Sequence, residues 1–113
     1  MRRALLLGGL ALILCAAAPS PDASQGAAIV SHGTATGVLP CMACHGPDLA
    51  GNASIGAPRI AGLPLATTLS ALHAIAAGRM GSNYVMKNIA HALTASERTD
   101  VAAYLAGLPA STP

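Results

Sequence analysis

Five consecutive residues, Cys41-Met42-Ala43-Cys44-His45, carry the most specific chemistry in this chain of 113 residues. Two cysteines three positions apart on a helical turn project from one face. Both sulfurs can then form thioethers to the two vinyl groups of one porphyrin, with the adjacent His45 imidazole aimed at the iron. Cys-x-x-Cys-His is the attachment signature of covalent haem, one group per motif. Two other chemistries use paired cysteines. A thioredoxin-type redox pair needs a strand-helix-strand setting that is absent here. A structural zinc site takes four ligands, and with no second cysteine pair it would have to be completed by two histidines.

What such an iron does depends on its sixth ligand. A methionine there closes the site for electron transfer and raises the potential; an open or labile position would instead bind peroxide or a diatomic gas. Met42, Met80 and Met86 are the methionines past the N-terminal segment. Met42 lies between the two cysteines, too close to the His45 side to reach the opposite face. Met86 shares a helical face with Ile89 and Leu93 and is favoured as the ligand, with Met80 the runner-up. Taken alone, Met86 would read as ordinary core packing. His32, His73 and His91 are rival ligands that read better as surface or partly buried side chains. His73 and His91 are also the obvious polar groups for an open site.

A ligating His45 must donate its Nδ1–H elsewhere, usually to a carbonyl. Arg59 and Arg79 are candidates for pairing with haem propionates, or else solvated surface cations. Asn83 reads as a helix cap or as a hydrogen-bonding neighbour of the Met86 sulfur.

The elements that must position these groups are helical. No strand-like alternation of useful length appears, and apolar residues recur at intervals of three and four. A first helix is predicted from about Asp22 to Ser31, with Gly26, Ile29, Val30 and Gly33 on one stripe. The stretch from Gly46 to Gly62 is rich in Gly, Pro, Asn and Ser and reads as an irregular loop wrapped around something. A helix is predicted after Pro64, with Leu65, Leu69, Leu72 and Ile75 on its face and a stop at Gly78. Another runs from about Asn83 to Ala92, with Met86, Ile89, Ala90 and Leu93 aligned. Thr94-Ala95-Ser96-Glu97 has the form of a capping box, opening a last helix whose stripe is Val101, Tyr104, Leu105 and Leu108.

Composition points to a cofactor from a second direction. The chain is 53% hydrophobic, 9% charged and 2% aromatic, with no Trp and no Phe. Small domains bury a limited share of their surface, and large aromatics usually supply much of it. Packing against a bound ring must come from Leu, Ile and Val, with Tyr84 or Tyr104. Metals, disulfides or bulky cofactors make up such a deficit, and Cys41 and Cys44 alone cannot form a disulfide framework.

Arg2 and Arg3 followed by an apolar run from Ala4 to Ala18 read as an export signal. The run is short of the roughly 20 residues of a membrane span. Residues 1–18 are therefore assigned as signal and 19–113 as the working domain, with a cut after Ala17 or Ala23 as alternatives. A membrane attachment would require that the segment be retained or that Cys15 be lipidated. Past residue 18, Arg59, Arg79, Lys87 and Arg98 balance Asp22, Asp48, Glu97 and Asp100. A neutral domain is not built to bind nucleic acid through a basic surface, and suits an apolar contact patch for its partners.

The chain resembles the small bacterial class I cytochromes c over about residues 26–108. The resemblance rests on Cys41-Met42-Ala43-Cys44-His45-Gly46, Gly56-Ala57-Pro58-Arg59-Ile60-Ala61-Gly62, Met86 followed by Ile89 and Leu93-Thr94, and Ala103-Tyr104-Leu105. It implies an all-α fold of three to five short helices around one covalent haem c. First and last helices would cross near Gly26 and Tyr104, Pro58 would supply the carbonyl for His45, and Met86 matches the ligand position. The implied function is a periplasmic mono-haem electron carrier, not an enzyme. It would exchange electrons across a haem edge near Cys41 and Cys44, as acceptor for a periplasmic dehydrogenase or donor to an oxidase.

Overall fold

A computed structural model describes Gly8, Gly9 and residues 20–110. The assignment of 1–18 as a signal, and Cys15 with it, lies outside the described residues. Among the described residues five α-helices follow in order: α1 (Ala23–His32), α2 (Met42–His45), α3 (Leu65–Ala76), α4 (Tyr84–Ala92) and α5 (Ala95–Ala106). A short 3-10 turn, Ala53–Ile55, lies in the long loop between α2 and α3. No strand occurs among the described residues, only an isolated antiparallel bridge between Asn52 and Ala57. No described helix is long and apolar enough to cross a membrane.

The starts of α1, α4 and α5 are set by side chains that satisfy otherwise unpaired N–H groups. Asp22 caps α1, its carboxylate accepting from the backbone N–H of Ser24 and Gln25 at 3.0 and 3.2 Å. Asn83 caps α4 by accepting from Met86 N at 3.0 Å. At α5 the capping box is complete: Glu97 N donates to Thr94 Oγ1 at 3.1 Å, and Thr94 N to Glu97 Oε1 at 2.9 Å. Asp22 and Asn83 thus stand just outside their helices, where the sequence had placed them as first residues.

The expected apolar stripes are buried in part, with Leu65, Leu69 and Ile75 of α3 and Met86 and Ile89 of α4 only half-buried. Ile29 and Val30 of α1, Leu72 of α3, Ala90 of α4, and Val101 and Leu105 of α5 are buried, with Leu93 closing α4. Val38, Leu49 and Ala61, from the connecting segments, join the same core. Gly33 ends α1 as its cap instead of extending the stripe.

The two outer helices, α1 and α5, form the principal packing of the molecule. Their axes meet where α1 has no side chain. A Cβ on Gly26 would run into the Asp100 carbonyl and stand 2.9 Å from Tyr104 Cβ. Close approach here therefore depends on glycine. Beside it, Asp22 N donates to Asp100 Oδ1 at 2.8 Å, joining residues far apart in the chain. The expected crossing at Gly26 and Tyr104 is what the fold contains.

Candidate haem site

The cysteine motif forms the short helix α2, with Cys41 at its N-cap position and Gly46 beyond its end. Gly46 has φ +88°, a left-handed conformation open to glycine at little cost, and it turns the chain sharply away from His45. Cys41 and Cys44 are both half-buried and are not bridged to one another. Burial pushes the Cys41 thiol up to about 11, with the neighbouring Cys44 adding to the effect. Redox-active Cys-x-x-Cys pairs are shifted in the opposite direction.

His45 is buried, and its Nδ1 lies 2.7 Å from the carbonyl oxygen of Pro58. That oxygen can only accept, so the proton is on Nδ1 and the free nitrogen is Nε2. This is the arrangement in which a ligating histidine is oriented by a carbonyl.

The loop reaches Pro58 through a set of backbone contacts that begin at His45 itself. Gly51 N donates to His45 O at 2.8 Å. Leu49, buried and with φ +61°, accepts at its carbonyl from Ile60 N and Ala61 N at 2.9 and 3.1 Å. A non-glycine residue in this conformation is strained and persists where its surroundings hold it. Here the strain goes with returning the loop so that Pro58 faces α2. The sequence carries no signal for Leu49; Asp48, accepting from Ala50 N at 3.1 Å, marks only that a turn occurs. An open hollow of about 530 Å³ runs along the loop, lined by residues including Asn52, Pro58 and Arg59.

Met86 is half-buried on α4. Met80 is 50% exposed in the segment between α3 and α4. Met42 packs against the core cluster. Arg59 and Arg79 are exposed, Arg59 immediately after Pro58. His32, His73 and His91 are all exposed. Of the two tyrosines, Tyr104 packs against the core, whereas Tyr84 is 81% exposed. Asn83 uses its side-chain oxygen on the Met86 backbone N–H, which makes it the cap of α4.

Two features escaped the sequence reading. Arg98 donates through Nε to the carbonyl of Ala90 at 3.0 Å. The Thr68 hydroxyl is buried without a hydrogen-bond partner among the described residues. Neither residue type in its place announces such a role.

The donor set fits a covalently attached haem. One imidazole nitrogen is committed to a carbonyl and the other is free, and two unbridged thiols share the same turn. Among the described residues, no three His, Cys, Asp or Glu side chains gather as a metal-ion cluster, so the histidines needed for a zinc site do not converge on the cysteines.

Comparison with known proteins agrees. The cytochrome c family model matches residues 30–109. The thiosulfate dehydrogenase electron acceptor of Stutzerimonas stutzeri (strain A1501) is 37% identical over 106 residues, 93% of this chain and 47% of that protein. Its namesake from Thiomonas intermedia (strain K12) is 39% identical over 71 residues, 63% of this chain and 32% of its own. The chain thus spans half or less of the length of these relatives. Reduced recombinant cytochrome c4 from Pseudomonas stutzeri superposes with a TM-score of 0.71 at 27% identity, covering 77% of this chain and 48% of that one. Thiosulfate dehydrogenase (TsdBA) from Marichromatium purpuratum gives a TM-score of 0.73 at 32% identity, covering 77% of this chain and 19% of that one. The helical architecture, the Cys41–His45 turn and these matches lead to one conclusion: the chain belongs to the cytochrome c family.

Proposed function

We propose that this chain is a periplasmic one-electron carrier with a single haem c, passing electrons from a dehydrogenase without turning over a substrate of its own. The observation that carries the reading is the 2.7 Å contact between His45 Nδ1 and Pro58 O. It leaves Nε2 as the uncommitted imidazole nitrogen, beside two thiols on the same helical turn. When bound, haem c supplies a one-electron couple at its iron.

In this reading Cys41 and Cys44 would hold the haem through thioethers and His45 and Met86 would ligate its iron, with Met80 the alternative to Met86. Pro58 fixes the His45 ring, so that little moves when charge is exchanged. Arg59 and Arg79 are the partners assigned to the propionates. The names of the relatives, electron acceptors of thiosulfate dehydrogenase, support a dehydrogenase of that kind as the donor, with an oxidase as the alternative partner. Arg2, Arg3 and the apolar run to Ala18 support export.

The test is to express the full chain in a host that attaches haem during export. Expected are one haem per chain that survives denaturation, a reversible one-electron titration, and little binding of carbon monoxide at neutral pH. Ready carbon monoxide binding would move the protein into the class of sensors or peroxidase-like proteins with a labile sixth site. A colourless, folded product would end the reading altogether.

A further inference from the structure

Helix α4 carries Met86 and has nine residues, below the roughly 12–15 at which an isolated helix begins to hold itself in water. Its position is therefore imposed from outside, and it is fastened at both ends. At the start, Asn83 Oδ1 holds the Met86 N–H at 3.0 Å. At the finish, helix geometry leaves carbonyls without partners. Ile89 O is served by Leu93 N at 3.1 Å. Thr94 N, the next donor in line for Ala90 O, is instead engaged with Glu97 Oε1 in the α5 capping box.

Ala90 O is taken by Arg98 Nε at 3.0 Å, from the first turn of α5. Ala90 is completely buried, so the bond satisfies a group that would be costly to leave unpaired. A guanidinium at a helix C-terminus also meets the negative end of the dipole, and a charged donor makes the stronger bond. Ala90 lies one turn on from Met86, on the same face of α4.

We propose that Arg98 is a positioning residue for the sixth iron ligand. By holding the Ala90 carbonyl to α5, it fixes the seat of α4 and with it the Met86 sulfur. The inference rests on the reading of Met86 as that ligand. The bond exists only while α4 is docked, so losing it favours displacement of Met86 by an added ligand.

The experiment uses the haem-loaded full chain in its ferric state, titrated with imidazole and followed by the visible spectrum, including the weak sulfur-to-iron charge-transfer band. Arg98→Leu is expected to bind imidazole about tenfold more tightly than the parent, the worth of one hydrogen bond from a charged group. Arg98→Lys, which keeps a charged donor, falls between the two. Thr94→Ala, which weakens the same end of α5 but spares the guanidinium, stays with the parent. If Arg98→Leu binds imidazole no more tightly than the parent, or Thr94→Ala tightens binding as much at a matched loss of thermal stability, Arg98 is a fastener of the fold alone and the proposal is wrong. Should Arg98→Leu not accumulate, Arg98→Lys and Arg98→Gln carry the same comparison. Met86→Ala tests the underlying assignment separately: it must abolish the sulfur band, and a surviving band overturns the ligand reading whatever the Arg98 variants do.

Discussion

The imidazole of His45 and the carbonyl of Pro58 meet at 2.7 Å across a separation of 13 residues. The contact joins the cysteine helix to the far side of a loop held by Leu49, Gly51 and Ile60. Its acceptor is backbone, so no side-chain substitution removes it directly; what Pro58 contributes is a restricted φ. Pro58→Ala is therefore expected to retain the hydrogen bond and to lower stability by about 0.5–1 kcal/mol through greater freedom of the unfolded loop. Denaturant unfolding of the haem-loaded protein measures this. A loss of several kcal/mol would mean that the ring is doing more than stiffening the loop.

The assignment of the sixth ligand is tested by a pair of variants. Met86→Ala should lose the sulfur-to-iron band and bind carbon monoxide when reduced, whereas Met80→Ala should keep the band, in line with the 50% exposure of Met80. The reverse pattern in the visible spectra would transfer the role to Met80.

Gly26→Ala addresses the helix crossing. The added methyl meets the Asp100 carbonyl and the Tyr104 side chain, where overpacking typically costs about 1–3 kcal/mol. Thermal or denaturant unfolding should register a loss in this range, because α1 and α5 can separate only by giving up their main packing. An unchanged midpoint would show that the helices adjust freely at this point.

Thr94→Ala removes one half of the α5 capping box and should cost about 1 kcal/mol. Thr94→Ser, which keeps the hydroxyl, should recover most of it in the same unfolding measurement.

Asp22 provides a pH dependence with a definite sign. Hydrogen bonds from the Ser24 hydroxyl and the Gln25 backbone hold its carboxyl below the ordinary value of 3.8. A carboxylate whose folded value is depressed contributes stability that is fully present above the unfolded value and is lost as pH falls through the folded one. The loosening of α1 should therefore begin below about pH 4 and be blunted in Asp22→Asn, which keeps a capping oxygen. Melting curves from pH 5 to pH 2 test it. An equally steep acid transition in the variant would assign the effect to other groups.

The sequence was most legible where one residue type carries one physical duty. Thr94 and Glu97 announce the start of α5 because few other patterns satisfy two N–H groups at once. Cys41, Cys44 and His45 announce their chemistry for a similar reason. Asp22 and Asn83 were visible as helix starts, but composition could not separate a capping residue from a first residue. The return of the loop to His45 could be expected only through the resemblance to class I cytochromes. Its physical cause, the left-handed Leu49 with a carbonyl shared by Ile60 and Ala61, leaves no mark in a residue that elsewhere would be ordinary core. Arg98 was equally silent. An arginine near a helix start reads as a solvated cation until the neighbouring Ala90 carbonyl is known to be buried.

The bond between Asp22 and Asp100 spans 78 residues, so the α1–α5 union cannot form until Asp100 itself has emerged. The thiols of Cys41 and Cys44 are made long before that moment. Enclosure of the attachment turn waits on α5, whose Val101 and Leu105 belong to the cluster that Cys41 packs against, and this gives any machinery that loads the cofactor an interval in which the turn is still in the open.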